Sequence, residues 1–173
     1  PGPFSRTAVI AAGREHGIRS GYPAISGDGL VGRVLETHHK TARLLLLPDP
    51  TSRVPVIVGA SGVEAILAGD QTPSPRLLLV PDGVRVEAGA EVATSGVGGL
   101  FPRGLRVGKV SEAGGIFRVE LYARIDALDF VSVLQFQSPL LELADDADRE
   151  KGAKRSQTVA SRAAGPASGS TAK

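Results

Sequence analysis

A glycine-rich block that occurs twice constrains this chain more than any other feature. The first copy is Gly27-Asp28-Gly29-Leu30-Val31-Gly32-Arg33-Val34. The second runs Ser95-Gly96-Val97-Gly98-Gly99-Leu100-Phe101-Pro102-Arg103-Gly104 and on through Leu105-Arg106-Val107-Gly108-Lys109-Val110. Ile18-Arg19-Ser20-Gly21 introduces one and Val86-Glu87-Ala88-Gly89 the other, and both close on Val-Gly-basic-Val. A spacing of about 70 residues is too long for a solenoid repeat. Two similar small modules fit it better.

The residues around the repeat favour short strands. The 22 Gly and 12 Pro do not suit long helices, but many short strands and tight turns tolerate them. Aromatics make up only 4% of the chain, so Val, Leu, Ile and Ala must build the core. Strands are expected over 4–10, 22–26, 30–37, 42–47, 54–58, 63–67, 77–80, 91–94, 105–111, 117–124 and 130–136. Turn residues such as Asp28-Gly29, Pro48-Asp49-Pro50, Ser61-Gly62 and Gly114-Gly115 separate them. Turns every 8–12 residues or so are the mark of antiparallel sandwiches and small barrels.

Charge and composition bound the partners. Residues 151–173 hold five of the 20 basic residues and no acidic one, leaving 15 basic against 18 acidic residues in the body. The high isoelectric point therefore belongs to the tail. No Lys/Arg cluster marks a folded nucleic-acid face, and no nucleic-acid partner is expected. From Ala144 on, few large apolar residues remain, and a disordered or poorly docked tail is expected. There is no cysteine, so disulfides, thiolate nucleophiles and Cys-based metal sites are excluded. No apolar run approaches the ~18–20 residues of a membrane span. The opening Pro1-Gly2-Pro3, without an initiator Met, reads as the start of a trimmed piece of a longer chain.

Several chemistries can be tried on the polar residues. Gly27-x-Gly29-x-x-Gly32 with Asp49 downstream matches the dinucleotide fingerprint. That motif works only where a helix opens at its end to hold the pyrophosphate, whereas Arg33-Val34-Leu35-Glu36-Thr37 favours a strand. Ser95 could act as a nucleophile if His16, His38 or His39 served as its base, but none of the three has a catalytic context. The same histidines with Asp28 or Asp49 make a poor metal site, because adjacent residues of a strand point to opposite faces. Asp126 and Asp129 read as solvated turn formers rather than an acid–base pair. No cofactor is expected. What remains is binding through loops, grooves or sheet edges. Gly27, Gly29, Gly32, Gly96, Gly98, Gly99, Phe101, Pro102, Gly104 and Gly108 are the expected structural turns and candidate interaction loops.

Six pieces in order carry a resemblance to a known family. They are Ile18-Arg19-Ser20-Gly21-Tyr22-Pro23, Gly29-Leu30-Val31-Gly32-Arg33-Val34, Leu45-Leu46-Leu47-Pro48-Asp49-Pro50 with Val54-Pro55-Val56, Val92-Ala93-Thr94-Ser95-Gly96, Gly99-Leu100-Phe101-Pro102-Arg103-Gly104-Leu105, and Val107-Gly108-Lys109-Val110. Over about residues 4–137 the chain resembles the cell shape-determining protein MreC. The resemblance implies two small antiparallel β-barrels. The first would be built from 4–48 with strands returning at about 116–137, the second from 49–115, with 138–173 as a flexible tail. It also implies a non-catalytic scaffold on the periplasmic side of the bacterial inner membrane. That scaffold organises lateral peptidoglycan synthesis in the elongation complex and maintains rod shape. The implied partners are penicillin-binding proteins, MreD, RodA and other copies of itself, with membrane attachment through an N-terminal anchor. Two rival readings stand beside it: a two-barrel protein like a serine peptidase, and a module that binds cell-wall polysaccharide.

Overall fold

The computed structural model describes residues 6–136; the tail expected at 138–173 lies outside them. Among the described residues there are eleven strands, three single-turn 3-10 segments and no α-helix. In chain order the strands are β1 (Thr7–Ile10), β2 (Pro23–Ile25), β3 (Leu30–Thr37), β4 (Ala42–Leu46), β5 (Arg53–Val58) and β6 (Val63–Ala68). They continue as β7 (Arg76–Leu78), β8 (Glu91–Thr94), β9 (Arg106–Ala113), β10 (Ile116–Leu121) and β11 (Ser132–Val133). The all-β architecture of two antiparallel modules is the one the sequence predicts.

The modules differ in closure. In the second, β10-β7-β6-β5-β8-β9 form a closed six-stranded barrel. In the first, β1-β4-β3-β2-β11 form a curled half-barrel whose outer strands are β1 and β11. The division of strands also departs from the expected one. Ile116–Leu121 does not return to the first module; it pairs along its whole length with β9 and touches β7 at Arg118↔Arg76. The reason is local: Gly114 and Gly115, both at positive φ, fold β9 and β10 into a hairpin, and a hairpin keeps its strands together. The chain comes back later, when Ser132 and Val133 pair with Ile25 and Ala24 of β2.

The repeat has one steric cause in both modules. Gly32 lies in β3 where an added Cβ would sit 2.0 Å from the carbonyl oxygen of Leu45. Gly108 lies in β9 where an added Cβ would sit 2.0 Å from the carbonyl oxygen of Glu120. Only glycine permits so close an approach by the neighbouring backbone. The valines on either side fill the two cores: Val31 and Val34 the core of the half-barrel, Val107 and Val110 that of the barrel.

The tip of the β2–β3 hairpin joins the modules. Ser26 donates its backbone N–H to the Gly29 carbonyl (2.8 Å), which closes a tight turn. A Cβ on Gly29 would lie 2.8 Å from the Arg106 carbonyl oxygen at the start of β9. The next residue, Leu30, is fully buried and belongs to the core of the closed barrel, with Ile25 packed against the same cluster. Leu47, just past β4, is buried there too, whereas Leu44 and Leu46 serve the half-barrel. This is why 44–47 is apolar without interruption: the segment has a core on each side.

The steric reading of the repeat predicts that Gly32→Ala and Gly108→Ala each destabilise the protein by at least about 1–3 kcal/mol, the usual cost of overpacking. Urea denaturation is the check. Midpoints equal to the wild type would remove the steric explanation.

Candidate functional site

The loop between β8 and β9 folds back on itself around Thr94, which is fully buried at the end of β8. Its hydroxyl donates to the Pro102 carbonyl (2.6 Å) and accepts the Leu105 N–H (2.9 Å). The Gly104 N–H in turn donates to the Thr94 carbonyl (2.9 Å). Gly96, Gly98, Gly99 and Gly104 all lie at positive φ. At Gly96 (φ 78°) and Gly98 (φ 73°) this twists the chain into the short turn Val97–Gly99, and a β-branched residue at such angles is strained. Phe101 is buried in the barrel core, so it anchors the loop and is not offered to a partner. Pro102 is half-buried beside it.

The other predicted residues fall elsewhere. Gly27 is at the open tip of the β2–β3 hairpin, with nothing near the position of a Cβ. Gly29, Gly32 and Gly108 are packed against backbone, as described above. The fold brings one residue of the first copy to the second, since Gly29 presses on β9 where the glycine loop ends. No helix follows Gly32, so the pyrophosphate-binding geometry of a dinucleotide fold is missing at that motif.

The polar candidates are also separated. Ser95 is buried, and its Oγ accepts the Val97 N–H (3.2 Å) in a turn of its own loop. The three histidines gather at the far end of the half-barrel. His16 and His39 lie 3.8 and 3.6 Å from Glu15, and His38 lies 3.9 Å from Glu36. None of them hydrogen-bonds Ser95 among the described residues. Asp49 is buried with its carboxylate fully engaged: it accepts the Arg6 N–H (2.7 Å), the Thr51 N–H (2.8 Å) and the Thr51 hydroxyl (2.6 Å). Asp126 pairs with Arg6 at 3.3 Å on the surface.

What the loop does present is an apolar surface. Val97, held between Gly96 and Gly98, is 53% exposed, and Leu79 is 80% exposed. Together they flank a shallow depression of about 190 Å³ that Pro55, Ala65 and Ile66 also line. Leu79 has φ 57°, a left-handed conformation uncommon for a residue other than glycine. Such a conformation persists only where the surrounding structure holds it, and here it keeps a leucine in solvent. The sequence pattern does not single out Leu79, although it carries a signal. Leu77-Leu78-Leu79-Val80 is too apolar for a half-buried strand to cover on one face.

Next to this surface the barrel has a weak seam. Strands β7 and β10 share a single residue pair, and a polar cluster ties the seam from outside. Arg118 donates to the Asp70 carboxylate (3.0 Å), the Thr72 hydroxyl (3.0 Å) and the Ser74 carbonyl (2.7 Å). Burial on its own would raise the pKa of Asp70. Hydrogen bonds from the Thr72 hydroxyl and amide, together with Arg118, outweigh it and hold the carboxyl below its ordinary value.

Comparison with known proteins rests on this framework. Residues 1–135 match the family model described as rod shape-determining protein MreC, barrel core. The chain belongs to the MreC family. The MreC of Caulobacter vibrioides is 41% identical over 146 residues, covering 84% of this chain and 42% of that relative's length. This chain therefore spans less than half of that MreC. The crystal structure of MreC from Pseudomonas aeruginosa superposes with a TM-score of 0.72 at 32% identity, covering 78% of this chain and 92% of that one. Two more distant MreC structures share the fold. One, at 22% identity and a TM-score of 0.67, is described as the major periplasmic domain of a cell shape-determining filament; it covers 77% of this chain and 89% of that one. The other, at 18% identity and a TM-score of 0.52, is MreC from Helicobacter pylori in complex with the penicillin-binding protein PBP2; it covers 65% of this chain and 75% of that one.

Two outcomes follow from the loop and the seam. Gly96→Val and Gly98→Val each force a β-branched residue into the left-handed region, at about 1–2 kcal/mol or more; wild-type melting temperatures for both would contradict the turn geometry. For Asp70 the folded pKa is depressed, so its contribution is fully present above the unfolded carboxyl value. It is lost as pH falls through the lower folded value. Asp70→Asn should therefore be less stable than the wild type at neutral pH and flatten the acid limb of a stability–pH curve measured by denaturant titration. An unchanged acid limb would rule out this role for Asp70.

Proposed function

We propose that this chain is the two-module part of a non-catalytic scaffold on the periplasmic side of the bacterial inner membrane. There it organises lateral peptidoglycan synthesis by the elongation complex and maintains rod shape. The observation that carries the reading is the likeness to MreC, in sequence over 84% of the chain and in fold over 92% of a solved MreC. A penicillin-binding protein is the partner with most support, since an MreC of this fold has been solved bound to one. MreD, RodA and further copies of the chain are the remaining proposed partners. Attachment would come from an N-terminal anchor in the longer protein.

On this reading the surface around Leu79 and Val97 is the contact on the closed barrel. Both side chains are apolar and exposed, and backbone that other structure over-determines presents them: a strained φ for one, a double glycine turn for the other. Rigid apolar knobs of this kind suit the desolvated centre of a protein–protein interface.

The test is co-purification of this chain with the periplasmic part of the penicillin-binding protein 2 of the same organism. Capture by the wild type and its loss in Leu79→Asp/Val97→Asp are expected, with the melting temperature kept. Capture of no elongation-complex protein would overturn the scaffold reading, and capture unaffected by the double variant would move the contact elsewhere. Ser95→Ala serves as the control for the peptidase alternative. Neither it nor the wild type should turn over casein, and turnover lost on the substitution would establish that alternative instead.

A further inference from the structure

Among the described residues the half-barrel is one strand short of closing, and its geometry states what kind. Every neighbouring pair in β1-β4-β3-β2-β11 is antiparallel. An odd number of strands then leaves β1 and β11 running in the same direction. The closed barrel has an even count, so each of its pairs is antiparallel all the way round. Five strands cannot close that way, but a sixth running antiparallel to both edges would close the first module in the manner of the second.

The gap between the edges is a cleft of about 530 Å³. Ala8, Ile10, Leu44, Val131 and Val133 are among its apolar lining, and Val9 and Phe130 stand at its rim, 67% and 90% exposed. The backbone of both edges is set for pairing. Leu46 donates its N–H to the Arg6 carbonyl, so alternation along the ladder turns the N–H and C=O of Ala8 and Ile10 toward β4 and those of Thr7 and Val9 toward the cleft. On the other side Leu134 donates to the Pro23 carbonyl, which turns the backbone groups of Val133 toward the cleft. Thr7, Val9 and Val133 have no other backbone partner among the described residues. At the end where β1 begins, the rim carries Asp129, which has no ion pair among the described residues.

We propose that this cleft binds an extended segment of a partner protein by β-augmentation, the guest strand lying antiparallel to both β1 and β11. The occupant has a defined chemistry. It is about four to six residues of strand-forming sequence without proline. Alternate side chains are apolar, to meet Ala8, Ile10, Val131 and Val133. A basic residue stands near its C-terminal end, because the antiparallel direction brings that end to Asp129. A helix, whose backbone groups are bonded within itself, would leave the facing N–H and C=O groups of both edges unpaired, at a cost that a strand avoids; a sugar's hydroxyls do not repeat at the spacing of two ladders. This docking is independent of the scaffold reading and of the Leu79 surface.

The test uses the isotopically labelled chain and capped octapeptides alternating threonine with valine, isoleucine or leucine, each ending in lysine and carrying a nitroxide at the N-terminus. The expected result is saturable binding of at least one peptide below about 1 mM. It should slow hydrogen exchange at Thr7, Val9 and Val133, and broaden signals at the Ile10–His16 end rather than at Asp129. Val9→Pro removes a cleft-facing N–H without touching the β4 ladder, and edge strands tolerate proline. It should weaken binding about tenfold or more at an unchanged melting temperature. If that variant fails to fold, Asp129→Lys decides, by shifting preference from lysine-ended to glutamate-ended peptides. Absence of binding by the whole panel, broadening at the Asp129 end, or binding indifferent to both substitutions would overturn the proposal.

Discussion

Two carbonyl oxygens, those of Leu45 and Glu120, occupy the space where Gly32 and Gly108 would carry a Cβ. The rest of the architecture depends on that proximity. Strands that approach so closely can curl within a few residues, and curling lets a module this small enclose a core made of valine, leucine and alanine. Aromatic side chains could fill a wider space, but the chain has few of them. Glycine spacing and aliphatic composition are thus two sides of one packing solution, used once in each module. The flanking valines complete it, since they are the side chains that the tight curl leaves room for.

Much of this was legible in the sequence, because turn chemistry is local. Asp28-Gly29, Pro48-Asp49-Pro50 and Gly114-Gly115 set where strands stop, and nine of the eleven strands overlap their expected spans closely. The first and last shrink to short edge strands, where fewer partners hold the ladder. The allocation of β10 was not legible. It depends on whether a hairpin partner or a distant edge claims the strand, and apolar pattern does not record that choice. Phe101 misled for a similar reason: a phenylalanine in a glycine loop looks presented, yet here it points inward as the loop's anchor. Leu79 was hidden by its neighbours, since in a run of four apolar residues the exposed one is chosen by backbone conformation.

The two proposed surfaces differ in what they offer a partner. Around Leu79 and Val97 the backbone is spent on its own turns, so only side chains are on offer, and recognition there is by shape and apolar contact. Along the flank of the half-barrel the main chain itself is on offer, and recognition is directional. The proposed scaffold role would gain from having both kinds. Two partners reading different physical features do not compete for one site.

Leu30 carries a mechanical consequence. A side chain rooted in one module and buried in the core of the other leaves no hinge between them, since bending the joint would pull it out into water. The pair therefore behaves as a rigid spacer. Whatever grips the open flank is set at a fixed distance and angle from whatever grips the closed barrel. For the proposed scaffold such a pair would act as a gauge, its precision set by the packing of Leu30, Leu47 and Ile25 in the barrel core.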